Sequence, residues 1–357
     1  MNTMKFLHTA DWHLDSPFTG RTPAQREALR KALLKIPGKV AEICRREGCE
    51  LMLLSGDIFD GPYTRESLDA LRSALEEAAV PVFIAPGNHD FCGPDSPWLN
   101  EVWPKNVHIF TGAMESVAVP EIDTRVYGAG FQSMDCPGLL QNFSADGHER
   151  FCIAVLHGDA TNPTSPCNPI TAAQARSSGL DYLALGHIHK RGVFHAGGTI
   201  CAWPGSPIGR GFDETGERGV YVTRLKDGHD VRFVPLNTLR FHELEVDTGS
   251  DAIAALEAVL PGFGTQDFYR ITLLGSADGS LEAFYDHFQH IPNLELRDNR
   301  RNPAELWASA GEDSLRGAFI QKLKDAHDSA DEISAKQIEL AADIAQKLLD
   351  GREVTLP

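Results

Sequence analysis

The sequence predicts an α/β chain whose main body is a β-sandwich flanked by helices, with a small α+β domain and C-terminal helices after it. Three observations carry that prediction. Apolar runs alternate with amphipathic helical stretches over residues 4–80, and such crossovers favour parallel strands. From Trp103 the pattern changes to short alternating strands separated by Pro, Gly and Asp. From Phe241 to Leu296 the order is strand, helix, strand, helix, strand, and only helical periodicity follows.

Taken in order, Lys5-Phe-Leu begins the first strand. Pro23 opens a helical pattern running to about Glu47, with Leu29, Leu33, Ile36, Val40 and Ile43 on one face; Pro37-Gly38 should kink or split it. Leu51-Met-Leu-Leu is a buried strand that stops at Gly56 and delivers Asp57. Thr64 to Ala78 is a helix with Leu68, Leu71 and Leu75 together, and Val82-Phe-Ile is the next strand. Strands are expected at 107–110, 116–119, 125–128, 151–156, 182–185, 192–195, 199–203, 219–225 and 231–236, with a Pro, Asn, Ser and Thr-rich loop from Asp159 to Pro169. The small domain is expected to hold strands near 241, 268 and 293 and helices at 251–260 and 281–290. Beyond it, a short helix carries Leu315, Phe319 and Leu323, and a longer one, Ser334 to Leu349, puts Ile338, Ala341, Ala345 and Leu348 on one stripe. The expected domains are 1–238, 239–302 and 303–357.

Composition sets the class. A chain of 357 residues, 42% hydrophobic and 23% charged, can bury a sizeable core. No apolar run approaches the roughly 18 residues a membrane span needs, and the Met1-Asn-Thr-Met start lacks the apolar core of a signal peptide, so a cytoplasmic protein with no membrane association is expected. The seven cysteines (Cys44, Cys49, Cys92, Cys136, Cys152, Cys167, Cys201) are scattered and never spaced Cys-x-x-Cys, which predicts buried, reduced thiols. A net charge of −17 argues against a simple nucleic-acid binder. That charge is uneven, however: residues 1–240 hold 28 acidic and 23 basic residues, against 22 and 10 in 241–357. Bound divalent cations would make the less acidic part attractive to phosphate.

Five of the apolar runs end in residues of metal-ligand type: Asp11-x-His13, Asp57, Asn88-His89-Asp90, His157 and His187-x-His189. Ligand sites in α/β sheets gather at the carboxyl ends of strands. Two carboxylates, one amide oxygen and four imidazoles (Asp11, His13, Asp57, Asn88, His157, His187, His189) are therefore read as one metal site. Such N/O ligation suits Mn, Fe, Co or Zn better than Mg or Ca.

These blocks, Asp-x-His, Gly-Asp-x-x-Asp, Gly-Asn-His-Asp, His and Gly-His-x-His, appear in the order found in the calcineurin-like metallophosphoesterases, which the sequence resembles. The phrases His8-Thr-Ala-Asp-Trp-His-Leu-Asp-Ser-Pro-Phe18, Ser55-Gly-Asp-Ile-Phe-Asp60 and Trp203-Pro-Gly-Ser-Pro207 resemble the DNA-repair exonuclease branch, which includes SbcD and YhaO-like proteins. The resemblance covers residues 4–225 and is loose beyond. It implies a metallophosphoesterase β-sandwich, two divalent metal ions, Mn²⁺ by family habit, and a capping domain at 239–302. One metal would take Asp11, His13, Asp57 and His189, the other Asp57, Asn88, His157 and His187. His89 would stabilise the reacting phosphorus or protonate the leaving oxygen, with Asp90 orienting its ring.

The implied function is a two-metal DNA exonuclease or endonuclease, the nuclease subunit of an SbcCD-like complex, with the terminal helices docking on an SbcC-type coiled-coil ATPase and a homodimer as the family habit. Two other readings remain open: a phosphodiesterase of small molecules such as cyclic nucleotides, or a phosphatase, and a non-catalytic scaffold that tethers DNA ends. Asp60 is matched by the signature and is left outside the ligand set. Lys190, Arg191, Arg210 and Arg218 are candidates for the phosphate backbone or a solvated rim, whereas Asp15 and Trp12 serve packing as readily as function. His108, His148 and His195 have no supporting neighbours in the sequence.

Overall fold

The computed structural model describes residues 3–225, 230–262, 265–300 and 306–351. Two compact units divide the chain, Met1–Phe241 and His242–Pro357. The first contains β1 (Met4–Thr9), α1 (Pro23–Leu34), α2 (Ile36–Glu47), β2 (Leu51–Leu54), α3 (Arg65–Ala78), β3 (Val82–Ile84), α4 (Pro97–Asn100), β4 (Val107–Ile109), β5 (Glu115–Val119), β6 (Thr124–Gly128), β7 (Phe151–His157), α5 (Ala172–Ser177), β8 (Tyr182–Gly186), β9 (Gly192–Ala196), β10 (Thr199–Trp203), β11 (Gly219–Leu225) and β12 (Asp230–Pro235).

Two six-stranded sheets form from these strands, in the orders β12-β11-β1-β2-β3-β4 and β5-β6-β7-β8-β10-β9. Side chains alternate across a strand, so each strand lends one set of residues to the space between the sheets. Phe6, Leu51, Leu53 and Phe83 of one sheet meet Val126, Ile153, Val155, Tyr182 and Ile200 of the other in one buried cluster. The outer face of the second sheet is covered by Ala175, Leu180 and the loop residues Leu140 and Ile170. Leu29, Leu33, Val40, Leu68, Leu71 and Leu75 of α1 to α3 are buried in turn.

The expected break at Pro37 is real, and it falls at Lys35, which ends α1 and opens α2; Pro37 sits in the first turn of α2, where its missing N–H costs nothing. Thr64 caps α3, its hydroxyl accepting from the Ser67 N–H. Both sheets place parallel neighbours at the centre, β1-β2-β3 and β6-β7-β8. Their carboxyl ends open on one crevice side of the sandwich, and the ligand-type residues follow those strands. The seven cysteines are all buried and unpaired.

The second unit holds a three-stranded sheet, β13 (Phe241–Asp247), β14 (Phe268–Leu274) and β15 (Leu294–Asp298), with α6 (Ala252–Glu257) and α7 (Leu281–His287). Val246, Leu256, Ile271, Phe284 and Leu296 form its core. Both short helices end earlier than the periodicity suggests. The helices Leu315–Asp328 and Glu332–Leu349 follow in the same unit. Their burial corrects the expected stripes: Gly317, Ile320 and Ala342 are the buried positions, while Leu315, Phe319, Ala341 and Leu348 are exposed. A boundary at 302/303 falls outside the described residues, as do Met1 and Asn2 of the start. No helix among the described residues is long and apolar enough to cross a membrane.

Candidate metal centre

The loops after β1 and β2 are zipped together by backbone bonds: Asp11 N–H to Gly56 O (3.0 Å), His13 N–H to Asp57 O (2.9 Å), Leu14 N–H to Ile58 O (2.8 Å) and Asp60 N–H to Leu14 O (2.8 Å). This pairing brings the first two motifs to one point. Asp11, His13 and Asp57 have φ of +55°, +49° and +52°, and His187 has +89°. Non-glycine residues rarely adopt that region, and such conformations concentrate where function holds them. Gly56 and Gly186 are among the positions here where only glycine fits. A Cβ on Gly56 would lie 2.6 Å from His157 Nδ1, and one on Gly186 would lie 1.9 Å from Ser55 O, so the backbone itself walls the site.

Asp11, His13 and His189 offer ligand atoms that lie within 4.8 Å of one another, and so do Asp11, Asp57 and His157, and His13, Asp57 and His89. Asn88 completes the second side, its Oδ1 3.0 Å from His157 Nε2 and 3.2 Å from His187 Nδ1. All seven ligand-type residues anticipated from the sequence thus meet in one place. His157 is buried, and its Nδ1 lies 2.8 Å from Ser55 O. A carbonyl only accepts, so Nδ1 carries the proton and Nε2 presents a lone pair. That lone pair faces Asn88 Oδ1 and, at 3.4 Å, Asp57 Oδ2. On the other side His13 Nε2 and His189 Nε2 face each other at 3.1 Å, and the buried Asp11 Oδ2 has no hydrogen-bond partner among the described residues. Acceptors converging in this way repel each other unless a proton or a cation sits among them. The donor set fits a divalent metal site.

The charges agree. Burial, with Asp57 adding to it, pushes Asp11 up to about 7. Burial would also raise Asp57, but the imidazoles of His157, His13 and His89 outweigh it and hold the carboxyl below its usual range. Burial lowers His157 to about 4 and lowers His13 and His187 as well, so all three are held neutral, the form that binds metal.

The ring of His89 is partly exposed, and its Nδ1 lies 2.7 Å from Asp60 Oδ1, a bond that raises its pKa. This corrects the expectation that Asp90 orients the ring. Asp90 is buried, and its carboxylate accepts from the backbone N–H groups of Gly87 (2.7 Å), Ile58 (2.8 Å), Asp57 (3.2 Å) and Phe59 (3.3 Å). It ties the third motif to the second through backbone rather than through the imidazole. Asp60 itself is drawn well below the carboxylate range, since hydrogen bonds from His13, His89 and Ser16 outweigh its burial.

Sequence reasoning missed Glu214. Its Oε1 lies 2.6 Å from His189 Nδ1, and it is nearly buried; burial would raise its pKa, but His189 and Arg210 bring it to about 2. The carboxylate commits Nδ1 and aims Nε2 at the site. Nothing in Phe212-Asp213-Glu214 marks this role in a single sequence. Glu214→Gln should weaken Mn²⁺ binding roughly 10–100-fold in calorimetric titration, with the fold retained. Of the four basic candidates, Arg210 reaches the site, its guanidinium 3.6 Å from Asp60 Oδ2 and 3.5 Å from Glu214 Oε1. Arg218 donates to Ser206 Oγ and to the His189 carbonyl, Arg191 lies over the Phe233 ring, and Lys190 is exposed. Asp15 accepts from Thr64 and Ser67 at the start of α3, and Trp12 is buried with its Nε1 donating to Thr9, so both serve the fold. His108 meets Glu115 at 3.2 Å, away from the site.

The chain is similar to several known proteins. The chain is 31% identical over 355 residues to the uncharacterized metallophosphoesterase YhaO of Bacillus subtilis (strain 168), covering 86% of this chain and 84% of that one. It is 25% identical over 275 residues to the SbcD component of the SbcCD nuclease from the same organism, covering 64% and 68%. Among solved structures, a dimetal phosphatase from Danio rerio matches with a TM-score of 0.44 at 14% identity, over 64% of this chain and 96% of that one. The model of the calcineurin-like phosphoesterase family matches residues 4–191, a span that takes in every ligand-type residue of the centre. With that match and a 31%-identical relative running through most of both sequences, the chain belongs to the calcineurin-like phosphoesterase family and is a metal-dependent phosphoesterase.

Proposed function

We propose that the substrate is DNA and that the protein hydrolyses its phosphodiester bonds as the nuclease subunit of an SbcCD-like complex. The observation that carries the reading is the pairing of the seven-donor centre with a partly exposed His89 held through Nδ1 by Asp60. The similarity to a protein named as a nuclease component supports the choice of ester. Asp11, His13, Asp57 and His189 would hold one cation, and Asp57, Asn88, His157 and His187 the other. Two divalent ions, Mn²⁺ in our proposal, would supply an activated water and a clamp on the phosphoryl oxygens. The chain's own part is proton delivery. Asp60 favours the imidazolium form of His89, and Nε2 gives its proton to the leaving oxygen as the bond from phosphorus to that oxygen breaks and the bond from the water oxygen forms. Arg210 holds the two carboxylates, Asp60 and Glu214, that fix His89 and His189.

Residues 239–302 are proposed as the capping domain and the terminal helices as the docking element for an SbcC-type ATPase; homodimerisation is proposed on family habit, and a cytoplasmic location with it. Exposed Leu315, Phe319, Ile333, Leu348 and Leu349 on those helices support a protein partner there. The test is Mn²⁺-dependent degradation of end-labelled linear duplex DNA by the full chain, with bis-p-nitrophenyl phosphate and cyclic nucleotides alongside. DNA cleavage is the expected result. Turnover of the small esters with intact DNA, with and without the ATPase, would replace the nuclease reading with a small-molecule phosphodiesterase.

A further inference from the structure

A cavity of about 640 Å³ opens beside His89, within the range of small-ligand sites, and its lining includes Pro62, Tyr63, Phe91, Pro94 and Pro97. No lysine or arginine is among its lining residues. Of its two carboxylates, that of Asp90 is taken by backbone amides, and Asp95 is exposed. Apart from His89 at its edge, a phosphate would meet no cationic side chain there.

The walls are fixed in advance. Trp98 Nε1 donates to Asp90 O at 2.7 Å, which pins the turn that carries His89. Asn100 donates to Pro94 O (2.6 Å) and Ser96 O (3.0 Å), stiffening the proline-rich side. Tyr63 is held by its hydroxyl on Glu101 (3.3 Å) and by the Phe59 ring, whose centroid is 5.7 Å away. The Phe91 ring lies over Gly93, close enough that a Cβ there would be 2.8 Å from its Cε2. Rigid aromatic and proline surfaces bind a flat ring at little cost in ordering.

We propose that this cavity binds the nucleobase of the alcohol that departs from phosphorus. The proposal rests on the phosphodiesterase reading above, because it is His89 that hands its proton to that alcohol. His89 Nδ1 is occupied by Asp60, and its Nε2 has no hydrogen-bond partner among the described residues. The leaving oxygen lies at Nε2, and the group attached to it extends into the space His89 lines. A space of this size walled by aromatic rings and prolines takes a nucleoside and selects its base by stacking.

The test is equilibrium dialysis of labelled thymidine against the Mn²⁺-loaded full chain, with unlabelled 1,2-dideoxyribose as the base-free competitor. Thymidine should bind, the base-free sugar should fail to displace it, and Phe91→Leu should weaken it roughly ten-fold. Gly93→Ala, which makes the Phe91 ring move and keeps the ring itself, should weaken it similarly. Equal binding in both variants, or equal competition by the sugar, overturns the proposal. Hydrolysis of bis-p-nitrophenyl phosphate is measured on the same preparations. Turnover with no thymidine binding removes the base pocket and leaves the phosphodiesterase reading; binding with no turnover removes that reading, and with it the assignment of the base to a leaving group.

Discussion

Asp57→Asn is expected to abolish Mn²⁺-dependent hydrolysis, lowering turnover by roughly 10³-fold or more, since each bound cation contributes several kcal/mol to charge stabilisation and about 1.4 kcal/mol is a factor of ten. The substitution keeps the shape of the side chain and its acceptor for the His89 N–H, now 2.9 Å from Oδ1. It removes the charge that both halves of the centre share in the proposed ligand set. Its neighbours feel that charge too: Asp57 is a cause of the raised pKa of Asp11 and of Asp90, each at about 7. A carboxyl whose folded pKa lies above its unfolded value costs stability as pH rises from about 4 to about 7, because the fold must then hold a charge it disfavours. The imidazoles held neutral by burial act in the opposite sense, gaining stability over the same window, so the expected result is a difference: without metal, the variant's stability relative to the wild type should rise from pH 5 to pH 7. With Mn²⁺ at a hundred times its dissociation constant, the wild type should gain about 2.7 kcal/mol, and the variant much less. Thermal unfolding at pH 5 and pH 7, with and without Mn²⁺, separates the two. Equal stabilisation of both proteins by Mn²⁺ would show that Asp57 holds no metal.

Residue types and strand ends made this centre legible. Period-two burial and helical crossovers are local signals, and a site built where parallel strands end leaves its ligands directly after apolar runs. Asp11, Asp57, Asn88, His157 and His187 could be found that way. What stayed hidden depends on contacts between distant segments. Glu214 reaches His189 across 25 positions and Asp60 reaches His89 across a gap between loops, so neither pairing leaves a spacing to read. Asp90 misled for the same reason: adjacency in sequence suggested a partner for the neighbouring imidazole, yet four backbone N–H groups converge on its carboxylate. The terminal helices show a different limit. Their apolar residues are spaced so that more than one stripe is available, and packing within the second unit selected Ile320 and Ala342 over Leu315 and Leu348.

His89→Ala should reduce turnover roughly 10²–10⁴-fold, the usual range for losing a general acid, while Mn²⁺ content stays that of the wild type. The separation follows from the geometry. His89 Nδ1 is engaged by Asp60 at 2.7 Å, and the ring is more exposed than the buried imidazoles of His13 and His157. Its removal leaves every acceptor of the two donor groups that contain no His89 in place. Asp60→Asn then tests how the ring is set. That change keeps an oxygen near Nδ1 but removes the charge favouring the imidazolium, so the fraction of His89 able to donate a proton should fall at neutral pH. The basic limb of the pH–rate profile should move to lower pH, with turnover recovering as the medium is acidified. Asp90→Asn should behave otherwise. Its carboxylate binds backbone and not the ring, so the variant should lose thermal stability and metal affinity together with no displacement of that limb. A shifted limb in Asp90→Asn and an unshifted one in Asp60→Asn would restore Asp90 as the partner of His89 and displace Asp60 from that role.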